Sequence, residues 1–205
     1  MLQTDAVPAG TMDILEFLAK QPCLQDFYLG GGTSLALQIG HRLSVDLDFF
    51  TSHKKNINDI EYELLFIEGI KINARSNYAL FTEFRGVKVD ILNYPYKFIS
   101  EPIKYNGITL CGKDDICAMK LKTVMNRGAK KDFYDIYFLL QEYSFTKMME
   151  LFEKKYANIE PNAIIRSLTY FEDAEEQENP VLLKEVSLSW EKVKQTIISE
   201  IRKIV

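Results

Sequence analysis

The apolar periodicity of the chain changes once, near Asp114, and that change dictates where a sheet can be built. Before it, Ile70 to Asn77, Ala79 to Phe84 and Val87 to Leu92 are rich in β-branched and aromatic residues, with Arg85-Gly86 as a turn between the last two. Three further strands are predicted at Phe27 to Leu29, Val45 to Phe50 and Ile108 to Cys111. Between them, Thr11 caps a helix ending near Gln21, Leu35 to Ile39 form a short helix stopped by Gly40, and Asn58 to Phe66 form another. From Asp114 onward the spacing is helical, at about 114–126, 132–142, 145–156, 161–171 and 187–203, with acidic Glu172 to Pro180 as the one substantial loop. The sheet must therefore be completed by the first half. The expected class is α+β: a mixed sheet with flanking helices over 1–112, followed by a helical region over 113–205 that packs on it.

A chain of 205 residues, 47% hydrophobic and 26% charged, has enough apolar material for such a core. Its longest apolar stretches, such as Ile136 to Leu140, fall far short of the roughly 20 residues that cross a bilayer. The N-terminus has no basic segment followed by an apolar one, so the expectation is a cytoplasmic protein with no membrane partner. Cys23, Cys111 and Cys117 are scattered and odd in number, which fits a reducing compartment and a role as core filler. A net charge of −4 argues against a surface devoted to nucleic acid. It leaves room for one local basic patch, with Lys120, Lys122, Arg127, Lys130 and Lys131 as its candidates and a solvated helix face as the alternative.

The strand Ser44-Val45-Asp46-Leu47-Asp48-Phe49 carries the chemistry. Residues two apart on a strand share a face, so Asp46 and Asp48 point together, roughly 6.6 Å apart along the strand, while Val45, Leu47 and Phe49 point into the core. Two like charges so placed repel unless a cation lies between them, and hard carboxylate oxygens favour magnesium. An exposed edge kept soluble by charge is the alternative. Upstream, Gly30-Gly31-Gly32-Thr33-Ser34 joins a strand to a helix; its glycines let an anion approach the first-turn amides, and Thr33 and Ser34 add hydroxyl donors. A tight turn with an ordinary cap explains the same residues, and no Gly-Lys-Ser/Thr follows to make a Walker loop.

Asp90, in Lys88-Val89-Asp90-Ile91-Leu92, faces away from Val89 and Ile91 and would complete a three-carboxylate cage for two metal ions about 3.5–4 Å apart if its strand lies beside that of Asp46. Lys120 is placed to approach phosphates, and Asp132 and Asp135 share a helix face, where a first-turn acid has a purely structural explanation as well. His41 is expected at a helix end rather than as a base, and Trp190 in helix packing.

With these residues in place, the sequence resembles the nucleotidyl transferase AbiEii/AbiGii toxin family, within the polymerase-β-like nucleotidyltransferase superfamily. The resemblance rests on YLGGGTSLALQIGHRLSVDLDFF at 28–50, VDIL at 89–92 and DDICAMKLKTVMNRGAKKDFYDIYFLL at 114–140, and covers about residues 24–142. It implies a nucleotidyltransferase-like fold and transfer of a nucleoside monophosphate from a nucleoside triphosphate to an acceptor hydroxyl, with two magnesium ions held by Asp46, Asp48 and Asp90. By the same resemblance, Gly31, Gly32, Thr33 and Ser34, with Arg42 of the Gly-His-Arg-x-Ser segment and Arg127, belong to nucleotide binding, and Lys120 and Asp132 join the catalytic residues. It further implies the toxin of a toxin–antitoxin or phage-defence system, with RNA such as tRNA as acceptor and a separately encoded antitoxin as partner. A small-molecule adenylyltransferase and a non-catalytic binding module with the same fold are the alternatives. Only about 60 residues follow the last motif, fewer than family members commonly carry.

Overall fold

The computed structural model describes residues 2–204. Among them, seven strands form one mixed sheet: β1 (Tyr28–Leu29), β2 (Leu47–Thr51), β3 (Ile70–Arg75), β4 (Ala79–Phe84), β5 (Val87–Asn93), β6 (Ile103–Tyr105) and β7 (Ile108–Leu110). Their order across the sheet is β3-β4-β5-β2-β1-β7-β6. The hairpins β3-β4 and β4-β5 are antiparallel, as short turns require, whereas β2 runs parallel to β5 and β1 parallel to β7. Strand β6 was not expected from the sequence, because three residues, Ile-Lys-Tyr, are too few to show alternation. The class is α+β, as expected.

Helices α1 (Ala9–Leu18) and α3 (Ile57–Leu64) cover one face of the sheet. Leu15, Leu18, Ile60 and Leu64 bury there against Leu29, Leu47, Val89 and Ile91. Thr11 does not cap α1: the cap position is Pro8, and Thr11 lies inside the helix, buried. The other cluster joins Leu35 and Ile39 of α2 (Gly31–Ile39) to the helices α4 (Lys113–Arg127), α5 (Lys130–Leu139), α6 (Phe145–Lys155), α7 (Pro161–Thr169) and α9 (Trp190–Ile201). Part of the expected loop after α7 is a one-turn helix, α8 (Glu172–Glu175). Cys111, Cys117 and Trp190 are core residues of this half. No helix is long and apolar enough to cross a membrane among the described residues.

Two differences from the sequence-based expectation bear on the site. Strand β2 begins at Leu47, and Val45, expected in the core, is half exposed. The reason lies in the preceding segment, which pairs with a distant strap instead of the sheet: Arg42 bridges Leu182, and the Leu43 amide donates to Val181. In addition, α2 begins at Gly31 rather than Leu35, so the glycines form its first turn.

Candidate active site

Register across the parallel pair β2 and β5 sets Asp48 directly opposite Asp90, on one face and about 5 Å apart at the backbone. Burial, with Asp90 alongside, pushes the Asp48 carboxyl up from the ordinary range. One Asp90 oxygen accepts from Lys88 Nζ at 2.8 Å; the other, Oδ1, is buried with no hydrogen-bond partner among the described residues. An uncompensated buried carboxylate oxygen beside a second carboxylate is the donor set of a hard divalent cation. Asp46 lies just before β2, and its carboxylate is paired with Lys131 Nζ at 3.1 Å. Among the described residues no three acidic, histidine or cysteine side chains are drawn together as one ready ligand set, so the expected three-carboxylate cage is present as a pair plus a third acid engaged elsewhere.

The glycine turn abuts this pair. Gly31 has φ +63°, and a Cβ there would lie 2.1 Å from Asp48 Oδ2, so both backbone conformation and space demand glycine. The Gly30 amide donates to the Asp48 carbonyl at 2.8 Å, which fixes the start of α2 against β2. The first-turn amides of α2 have no intrahelical acceptor, so a partly positive helix end sits beside the acids. The hydroxyls expected to serve as phosphate donors are turned to structure. Thr33 is fully buried, hydrogen-bonded to the Ser44 hydroxyl at 2.8 Å and donating to the Asp46 carbonyl. Ser34, also fully buried, accepts from Gln38 Nε2 at 3.2 Å. Thr33 thereby holds the backbone of the acidic segment to the glycine turn.

Beneath lies a buried ionic network that joins α2's far end to α4 and α5. Lys120 Nζ bridges Asp132 Oδ1 at 2.8 Å and Asp135 Oδ2 at 2.5 Å, with its side chain only 5% exposed. Arg42 grips Asp135 with Nε at 2.7 Å and Nη2 at 3.0 Å, and His41 Nε2 meets the same carboxylate at 2.7 Å. Arg127 Nε reaches Asp132 Oδ2 at 2.9 Å. Burial alone would raise the Asp135 carboxyl, but Arg42, Lys120 and His41 overcome it and hold it well below the usual range. Burial likewise lowers His41 despite Asp135, so the imidazole is neutral and donates from Nε2. Burial alone would lower Lys120, but Asp132 and Asp135 outweigh it and keep the ammonium charged.

Several of the expected residues have their charges or donors engaged within the protein. Arg42 is buried, with three of its five N–H donors committed to Asp135 and to the Leu43 carbonyl; its Nη2 lies against Gly32, 2.4 Å from where a Cβ would sit, so it floors the turn. Asp132 has both oxygens bound by cations and is fully buried, so it positions Lys120 and Arg127. His41 is not a solvated helix-end residue; it is an interior member of the network. Of the five candidates for a basic patch, Lys120 and Lys130 are buried, Arg127 and Lys131 are half exposed and pair with Asp132 and Asp46, and Lys122 lies over the Tyr156 ring. Counting Lys120, Arg42 and Arg127 against Asp132 and Asp135, the network carries one surplus positive charge below the acids. Sequence reasoning gave Lys88 no role and placed Lys131 only in the candidate basic patch; neither was read as a partner of the acids. Lys88 had a signal, its place two residues before Asp90 on one strand face; Lys131 comes from another element, and nothing local pointed to it.

A mixed sheet that sets two carboxylates against a glycine-rich helix start, over a cationic floor, defines a nucleotidyltransferase class of site. Comparison with known proteins gives the family: residues 13–203 match the model described as Nucleotidyl transferase AbiEii toxin, Type IV TA system, and the chain belongs to that family and is a nucleotidyltransferase. It is 34% identical over 189 residues to an uncharacterised protein, aq_aa25, of Aquifex aeolicus (strain VF5), covering 89% of this chain and 90% of the relative. Its fold is similar to that of MenT4, a nucleotidyltransferase toxin from Mycobacterium tuberculosis H37Rv, with TM-score 0.59, 16% identity, and 95% of this chain and 83% of that one covered. It is also similar to a crystal structure from H. pylori whose proposed activity is nucleotidyl transfer, with TM-score 0.56, 20% identity, and 95% and 92% of the two chains covered.

Proposed function

We propose that the chain transfers a nucleoside monophosphate from a nucleoside triphosphate to an acceptor hydroxyl, the acceptor oxygen bonding to the α-phosphorus as pyrophosphate leaves and the hydroxyl proton is lost, with magnesium that would be held by Asp48 and Asp90, joined by Asp46 when that acid leaves Lys131. The observation that supports this most is the unpartnered, buried Asp90 Oδ1 beside a second carboxylate whose own charge is disfavoured. Magnesium, when bound, supplies Lewis-acid activation of the acceptor hydroxyl and neutralises phosphate charge. Two ions remain the expectation, the second depending on Asp46.

The chain's own residues do the rest. The first-turn amides of α2 donate to phosphate oxygens, and Gly31 and Gly32 keep the approach free of side chains. Thr33 keeps the Asp46 backbone in place. Lys120 and Arg127, fixed by Asp132, supply positive potential where charge builds on the transferring phosphoryl group. The proposed acceptor is RNA such as tRNA and the proposed partner a cognate antitoxin, both supported by the family resemblance; the proposed setting is the cytoplasm, supported by three scattered, unpaired cysteines. Incubation with labelled triphosphates, magnesium and total cellular RNA tests the reading. Label in a discrete RNA band, absent without magnesium, is the expected result, and label in no macromolecule with any of the four triphosphates would overturn it.

A further inference from the structure

Three lysines meet the acids of this site, and they differ in freedom. Lys120 is locked between two buried carboxylates with a side chain 5% exposed. Lys88 and Lys131 are each joined to one acid only, Asp90 and Asp46, with side chains 55% and 43% exposed. Exposed, singly bonded lysines give up such pairs readily, because the ammonium regains water as it leaves. The two pairs flank the adjacent Asp48, which has no lysine of its own among the described residues. Asp48 is disfavoured in its charged form by burial and by both Asp90 and Asp46, and Lys88 and Lys131 are exposed lysines bonded to those two acids.

We infer that Lys88 and Lys131 are tethered counter-cations: they hold Asp90 and Asp46 in the ion-free protein and hand those carboxylates over when a divalent ion enters. The inference rests on the metal reading proposed above and adds two positioning residues to it. The lysine on Asp90 is bound through Oδ2 only, so the buried Oδ1 can take a ligand without first giving one up. Exchange therefore begins at Asp90 and Asp48, and Asp46 is recruited after Lys131 withdraws. Once displaced, both ammonium groups stay at the rim of the acid cluster, tethered by four methylenes, where a triphosphate chain presents its oxygens.

A tethered cation competes with a bound one, which gives the inference a signature separate from turnover. Manganese serves as the probe, its binding followed by electron paramagnetic resonance, in the wild type and in Lys88→Met, Lys131→Met, the double variant and Lys88→Arg. Removing one positive charge a few ångströms from the ion is expected to tighten manganese binding by about 3- to 10-fold per lysine. Lys88→Arg should stay near the wild type. In chelator, the neutral variants should melt lower than the wild type and regain more of the loss when manganese is added. Unchanged or weaker manganese binding by Lys88→Met and Lys131→Met, with the wild type binding normally, overturns the lysine assignment and leaves the metal site standing. Failure of the wild type and every variant to bind manganese at millimolar concentration overturns the metal site and this inference together.

Discussion

Asp48 and Asp90 occupy directly paired positions on parallel strands, and Asp90 Oδ1 is buried beside Asp48 without a hydrogen-bond partner. Their contribution to activity and to stability should therefore oppose each other. Asp48→Asn is expected to lower nucleotide transfer by about 10³-fold or more. The same substitution removes a carboxylate that burial and Asp90 disfavour in its charged form, so thermal unfolding in chelator should show no loss of stability and a gain of up to about 1 kcal/mol. Differential scanning calorimetry beside a transfer assay reads both; equal loss of stability and activity would make Asp48 a structural residue.

Gly31 is constrained twice, by φ +63° and by the Asp48 carboxylate 2.1 Å from where a Cβ would lie. Gly31→Ala should destabilise by roughly 1–3 kcal/mol and displace Asp48. Denaturant unfolding gives the first and metal binding the second. Gly86, in the hairpin between β4 and β5, has a positive φ but open space around it, so Gly86→Ala should unfold somewhat more easily without losing manganese affinity.

How much of this was legible in the sequence follows from how local each feature is. Strand β4 could be read because alternation and turn residues are short-range signals, and a period of two turned Asp48 and Asp90 away from the apolar side chains of their own strands; Asp46, just before β2, lies outside that period. The ionic floor could not be read. His41 and Arg42 meet Asp135 across more than ninety residues, and a first-turn acid such as Asp132 has the same local pattern whether it faces water, substrate or a buried lysine. Val45 was misplaced for a related reason: its segment pairs with the Val181–Lys184 strap, which carries no sequence mark of that pairing.

Lys120 neutralises two fully buried carboxylates at once. Lys120→Met removes the cation that both carboxylates share, leaving each with one arginine, and should destabilise by about 1–3 kcal/mol, the cost of buried charged acceptors losing a hydrogen bond. Urea unfolding measures it. Lys131→Met, which removes an exposed partner of Asp46, should change stability by no more than about 1 kcal/mol in the same assay.

The network also sets a pH dependence. Asp135 ionises in the folded protein well below the value of about 3.9 expected when unfolded. Its stabilisation is therefore complete above that value and is lost as pH falls through the folded pKa, since the unfolded chain then binds more protons. His41, depressed by burial, adds a loss that begins as pH drops below about 6.5. Urea titrations between pH 2.5 and 7, about the span of these two groups, should show wild-type stability rising with pH. Asp135→Asn should be less stable throughout and flatter at the acid end; a parallel slope would remove Asp135 from the account.

Diffraction from crystals soaked with manganese and a non-hydrolysable nucleoside triphosphate analogue tests the central claim most directly. Anomalous density bridging the Asp48 and Asp90 carboxylates, with the analogue's phosphates at the Gly31–Gly32 turn, is the predicted result. Manganese bound elsewhere, with Asp90 still without a ligand on Oδ1 and the analogue away from the turn, would contradict it.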